Sequence, residues 1–384
     1  MKNATINTRK TLLRTLASAA LVAGFSGSVH AETYAITTFL GPTQPITEIQ
    51  HVEFADRVRE ATDGRIDFEV FPGEALLPAA GTLEGIASGV AQMGLYAPSY
   101  SPSAFPIMNT LLDLGWISPN PMVLSFAYAD FNFNEEMALN EWGGNGVMYA
   151  AGHATPPYRV ICSDPASNLS DLQGRKLRVP GAGYSRLVQS LGMTPVNIPS
   201  SEIYTSLERG ALDCVVADAT HLISGSTIGD LVKSVVMVEL VPYFIAAGHM
   251  YDLDFWKDMS TEDRSLLLQE GARSMVALNI AYLKREKEAL QWAEENDVEL
   301  VQPDEALSEG YSAWVEEGAG DALNIARESF GIEEPEAVAA TFQEYITKWD
   351  ELLEGVDMQD EDALLNLLNE EVYSKLDVSS HETD

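Results

Sequence analysis

Positive charge is scarce in this 384-residue chain: 23 Lys and Arg stand against 58 Asp and Glu, a formal net charge of −35. So acidic a surface repels phosphate backbones and anionic headgroups, which excludes nucleic acid and anionic membrane surfaces as partners. The acidic residues are spread along the chain, which reads as solvation in a salt-rich habitat. Cysteine is nearly absent. Cys162 and Cys214 lack the short spacing of a zinc or redox motif. They form either a disulfide closing a loop of roughly 50 residues, with about 4 kcal/mol of chain-entropy stabilisation, or two buried thiols. His51, His153, His221 and His249 are scattered without metal-ligand spacing. The motifs HExxH and GxSxG are missing, "GAGYSR" lacks the third glycine of a dinucleotide loop, and "YDLD" lacks the rest of a calcium loop. No catalytic residue, metal or cofactor is expected, and an enzyme is disfavoured.

Long apolar runs are also lacking after the first 31 residues. There, Lys2, Arg9, Lys10 and Arg14 precede an apolar stretch from Thr15 to Phe25, and Val29-His30-Ala31 supplies a small-x-small cleavage pattern. Residues 1–31 are therefore predicted to be a secretory signal peptide, and the mature chain periplasmic. Without Arg-Arg or a following cysteine, neither folded export nor lipidation is expected. A membrane span needs about 18 or more apolar residues, so the mature chain is expected to be soluble, with no membrane insertion. It keeps 19 basic against 58 acidic residues, a balance of −39.

About 353 residues remain, more than one core usually serves, which predicts two domains. "ETYAITTF" (32–39), "RIDFEVFP" (65–72) and "QMGLYA" (92–97) read as strands separated by helical periodicity at Phe54, Val58 and Ala61 and at Leu83, Ile86 and Val90. The pattern returns in "RKLRV" (175–179), "TPVNIP" (194–199) and "ALDCVVA" (211–217). Crossovers of this length make parallel sheets covered by helices. Ser260 followed by Asp263 opens a helical stretch reaching Asn296, and the acidic tail from Pro303 to Ser379 reads as mostly helical. The lobes are expected to be joined by ordered crossings.

Arg178 sits at the carboxyl end of its predicted strand, before Pro180 and Gly181. Ligands gather at such strand ends. A guanidinium meets a carboxylate with two parallel hydrogen bonds and keeps its proton when buried. The turn Gly181-Ala182-Gly183 leads into a helix whose first N–H groups also favour an anion. The alternative is an ion pair between Arg178 and an acid of its own lobe, or a side chain turned to solvent.

"DLQGRKLRVPG" followed by "LGMTPVNIPSSEIYTSLERGALD", with "FADRVREATDGRIDFEVFPGEAL" and "TLEGIASGVAQMG" upstream, resembles the TRAP-type (tripartite ATP-independent periplasmic) solute-binding proteins of the DctP-like family. The resemblance runs from about Ala35 to Val301. It implies an α/β, two-lobed periplasmic-binding-protein fold, each lobe a mainly parallel sheet flanked by helices, with a long helix spanning both. Lobe I takes residues 32–157 and about 245–285, and lobe II takes 158–244 and about 286–384. The implied function is binding of a small carboxylate and its delivery to a permease of small and large membrane subunits. Arg178 would grip the carboxylate and Arg159 falls near a second family arginine. Phe39, Tyr96 and Pro98 line the opposite lobe, with Ser200 and Tyr204 completing the outline.

Where many relatives carry a Glu-Asn or Glu-Trp pair, this chain reads "LDCVVADATH", leaving Asp218 or His221 as the polar candidate. Tyr96, Tyr100 and Phe39 suggest an aromatic or larger apolar acid. A ligand sensor for a membrane signalling partner is the alternative function.

Overall fold

The computed structural model describes residues 32–224, 227–379 and 381; the expected signal segment lies outside them. Eleven strands are found among the described residues: β1 (Glu32–Thr37), β2 (Ile66–Phe71), β3 (Met93–Tyr96), β4 (Val147–His153), β5 (Tyr158–Cys162), β6 (Lys176–Val179), β7 (Thr194–Asn197), β8 (Cys214–Ala217), β9 (Ser234–Leu240), β10 (Ala246–Asp252) and β11 (Glu299–Val301). They form two mixed sheets flanked by helices, in orders β2-β1-β3-β10-β4 and β11-β9-β5-β8-β6-β7.

The six strands predicted from periodicity form one parallel triplet in each sheet, with the same order in both: second, first, third. The strand beside each triplet runs antiparallel, and each follows a crossing of the chain from the other sheet: β10 pairs with β3, and β5 with β8. The crossings, between β4 and β5 and between β9 and β10, bond to each other: Thr155 N–H donates to the Tyr243 carbonyl (2.9 Å) and Tyr243 N–H to Thr155 Oγ1 (3.0 Å). These are ordered connections, not a flexible tether.

The third link is helix Thr261–Glu295, whose cap Ser260 accepts the Asp263 N–H. Its 35 residues rise about 52 Å at the usual pitch, enough to touch both β4 and β11. The expected grouping places residues 286–384 with the second sheet. From Pro335 the tail instead turns back to the first. Helix Pro335–Leu352 sets Phe342 and Trp349 against Phe131 and Phe126 of helix Pro121–Asn134, and Asp130 of that helix accepts from Lys348 Nζ and Trp349 Nε1. Apolar side chains need a second layer to bury against, and the first sheet's helices supply it.

Cys162 and Cys214 stand directly opposite each other on β5 and β8 and are bridged, with Cα atoms 4.0 Å apart. The bridge staples the second sheet where Arg178 is mounted one strand away. Reduction is expected to remove about 4 kcal/mol of stability, read as a shift of the urea midpoint with and without a thiol. An unchanged midpoint would mean that the sheet holds itself.

Candidate functional site

Arg178 stands near the end of β6, paired with Val196 of β7 on one side and Val215 of β8 on the other. Its Nε donates to the Ile198 carbonyl (3.0 Å) just past β7, and its Nη1 to the Val216 carbonyl (3.3 Å) of β8. The side chain is 2% exposed. Among the described residues no carboxylate forms an ion pair with it, so the intra-lobe pair held open above does not form, nor does the side chain turn to solvent. A buried guanidinium held by carbonyls alone keeps its full charge without a counter-ion, which costs free energy unless an anion joins it.

It faces a cleft between the two sheets whose void, up to the open mouth, is about 530 Å³. That space suits one small molecule and no oligomer. The second sheet contributes Arg178, Asp218 and His221, the first contributes Phe39, Gln44 and His153, and the crossings contribute Thr155 and Tyr243. Asp218, at the end of β8, accepts from Thr220 N–H (3.0 Å) and from its hydroxyl. Its Oδ2 is 3.9 Å from His221 Nε2. Burial lowers the His221 pKa, Asp218 opposes that, and Arg178 adds to it. Across the mouth, Ser200 N–H donates to Tyr100 OH (3.1 Å) and Ser201 Oγ to Glu74 (2.9 Å).

Residues 36–317 match the bacterial extracellular solute-binding protein family 7, DctP. The chain belongs to that family. DctP proteins are solute-binding components of transport systems, not enzymes, and the TRAP members are periplasmic. A solute-binding protein of Albidiferax ferrireducens is 23% identical over 252 residues, spanning 65% of this chain and 69% of that protein. The fold is shared with a TRAP periplasmic solute-binding protein of Bordetella bronchiseptica holding (R)- and (S)-mandelate (21% identity, TM-score 0.69, 83% of this chain and 99% of that one). It is shared equally with one from Rhodoferax ferrireducens with copurified benzoate (19% identity, TM-score 0.71, 84% and 99%). Among the described residues no helix is long and apolar enough to cross a membrane, and no group of three or more His, Cys, Asp or Glu is arranged to hold a metal ion.

On this DctP scaffold the residues singled out from sequence divide. Phe39, Arg178, Ser200, Asp218 and His221 border the cleft. Tyr96 and Pro98 do not: both are buried, and Tyr96 packs on Phe105. Tyr100 takes the aromatic place at the cleft, its ring 5.6 Å from Phe39. Tyr204 is 37% exposed at an outer opening with Glu74 and Ser201 that adjoins the cleft through Phe39, Leu40 and Ser200. Arg159 points away from the cleft lining, where its Nε is 2.9 Å from Glu286 of the long helix and its Nη2 3.4 Å from Glu239. Glu286 also accepts the Ala219 N–H (3.0 Å). Its pKa is pushed up to about 7, by burial first and by Asp218 next, against the pull of Arg159.

One expectation is corrected. The N-terminus of helix Ala182–Ser190, read as a second anchor for the ligand anion, is occupied by the protein's own Asp113. That carboxylate accepts from Arg186 Nη2 (2.6 Å) and the Gly183 backbone, and a Cβ on residue 183 would lie 2.3 Å from its Oδ1. The helix end is therefore already neutralised. Gln44, His153, Thr155, Tyr158, Tyr243 and Tyr282 were not read as site residues. They come from four separate stretches of the chain, and only the alternation of β5, which sends Tyr158 inward when Arg159 points outward, offered a local signal.

Proposed function

We propose that the chain is a periplasmic receptor that takes a small organic acid into the cleft between its lobes, with the carboxylate on Arg178, and hands it to a TRAP-type permease of small and large membrane subunits. The observation that carries this reading is a guanidinium 2% exposed, held by two carbonyls and no counter-ion, aimed into the cleft. Family membership supports the delivery step, and relatives holding mandelate and benzoate support an acid with a ring. Phe39, Tyr158 and Tyr243 wall the cleft with aromatic surface.

In this reading lobe I takes residues 32–157, 245–285 and the tail from Pro335, and lobe II takes 158–244 and 286–301. The acid binds one lobe and the other closes about the paired crossings at Thr155 and Tyr243. Closure makes the contacts of Tyr100 with Ser200 and of Glu74 with Ser201, and excludes water. Fewer waters mean a stronger pairing of charges. A thermal-shift screen of organic acids tests the function. An acid present at 100 times its Kd is expected to add about 2.7 kcal/mol of stability, and a panel in which only neutral or cationic solutes raise the melting temperature would overturn the proposal.

A further inference from the structure

Two cleft residues of the first sheet have buried polar atoms with nothing to bond. Gln44 and His153 are each 2% exposed, and Gln44 Oε1 and His153 Nδ1 have no hydrogen-bond partner among the described residues. Of the buried unpartnered side-chain atoms described, these two alone belong to residues lining the cleft. Each such atom costs free energy until something bonds to it.

Both residues are held firmly. Gln44 closes the turn after β1, its N–H donating to the Gly41 carbonyl (3.2 Å) and its own carbonyl accepting the Glu48 N–H (3.0 Å). His153 ends β4 between two fixed neighbours. Gly152 accepts from Gln50 Nε2 (2.7 Å), Ala154 N–H donates to Asn279 Oδ1 (3.1 Å), and the imidazole leans on Tyr282 with centroids 5.9 Å apart. Burial holds the His153 pKa down to about 3, so the ring is neutral at working pH. Arg178 is thus the one permanent cation among the lining residues, and Asp218 the one carboxylate.

We infer that the preferred guest is a monocarboxylate carrying one uncharged hydroxyl, whose O–H donates to Gln44 Oε1 and whose oxygen accepts from His153 Nδ1–H, while its carboxylate lies on Arg178. This rests on the acid-receptor reading and adds the far end of the ligand to it. A hydroxyl suits the pair because it donates and accepts at once. A dicarboxylate does not. Its second charge meets no second cation and joins Asp218 in a space with little water. An unsubstituted acid fits but leaves both atoms unpaired.

The test is calorimetric titration of the intact protein with matched acids differing in one group: benzoate, 3- and 4-hydroxybenzoate, isophthalate and terephthalate, and in parallel butanoate, 4-hydroxybutanoate and succinate. In at least one frame the hydroxy acid is expected to bind about ten-fold or more tighter than its unsubstituted parent, and tighter again than the diacid. Gln44→Leu and His153→Phe are each expected to shrink the ratio of hydroxy acid to parent toward one, with melting curves recorded alongside; the wild-type ratios decide the matter even if a variant fails to fold. Parent acids that bind as well as hydroxy acids, or diacids that bind best, would overturn this inference and leave the carboxylate receptor standing. Failure of every acid to bind would overturn the receptor reading, and this inference with it.

Discussion

Replacing Arg178 by alanine is expected to weaken binding of the best acid from the screen by about thirty-fold to several thousand-fold, the equivalent of roughly 2 to 5 kcal/mol. The carboxylate would lie in a cleft with little water and no partner charge. Stability should respond quite differently. Arg178 has no ion pair to lose, and its two bonds to the Ile198 and Val216 carbonyls are offset by release of a desolvated cation. A change within about 2 kcal/mol, or a gain, is therefore expected in urea melts. Arg178→Lys should rescue only part of the affinity, because an ammonium offers no planar fork. Full affinity in Arg178→Ala would remove the residue from the site.

Arg159→Ala is expected to do the reverse, costing about 3 to 5 kcal/mol of stability. Its partner Glu286 would remain buried on the long helix beside Asp218, without the cation that offsets them. The pH dependence has a definite sign. The Glu286 pKa already stands at about 7 in the fold, above its unfolded value, so its contribution is present at low pH and is lost as pH rises through that region. Removing Arg159 raises the folded value further. The deficit of Arg159→Ala relative to wild type is therefore expected to be larger at pH 8 than at pH 5. The double variant Arg159→Met/Glu286→Leu, which leaves no stranded charge, should recover most of the loss. If Arg159→Ala melts like wild type but no longer binds acid, the arginine is a ligand contact after all.

These two arginines show how much of the site the sequence carries. Arg178 was legible because strand, turn and helix follow one another locally, and a charge at a parallel strand's carboxyl end has few structural uses. Arg159 was placed by resemblance, although strand alternation sets it and Tyr158 on opposite faces. The occupant of the helix end at Gly183 could not be read, since Asp113 lies some 70 residues away and only the closed fold brings it there. Likewise the aromatic walls gather Tyr158, Tyr243 and Tyr282 from β5, a crossing and the long helix.

The fold divides similarly. Both parallel triplets were visible as alternation joined by crossovers of helical period. The antiparallel strands β5 and β10 were not, because each pairs with a strand formed far off in the chain. Helix Pro121–Asn134 is buried on nearly every side, which erases the period by which a helix is recognised. The tail's return to the first sheet followed from that same helix, whose apolar outer face needed covering.

The central claim is that the cleft selects for negative charge at Arg178, and the most direct measurement is a calorimetric comparison of the tightest acid with its carboxamide, which has the same shape and no charge. The acid is expected to bind at least about a hundred-fold tighter, as a buried charge-assisted pair requires. Equal affinity for the two would contradict it.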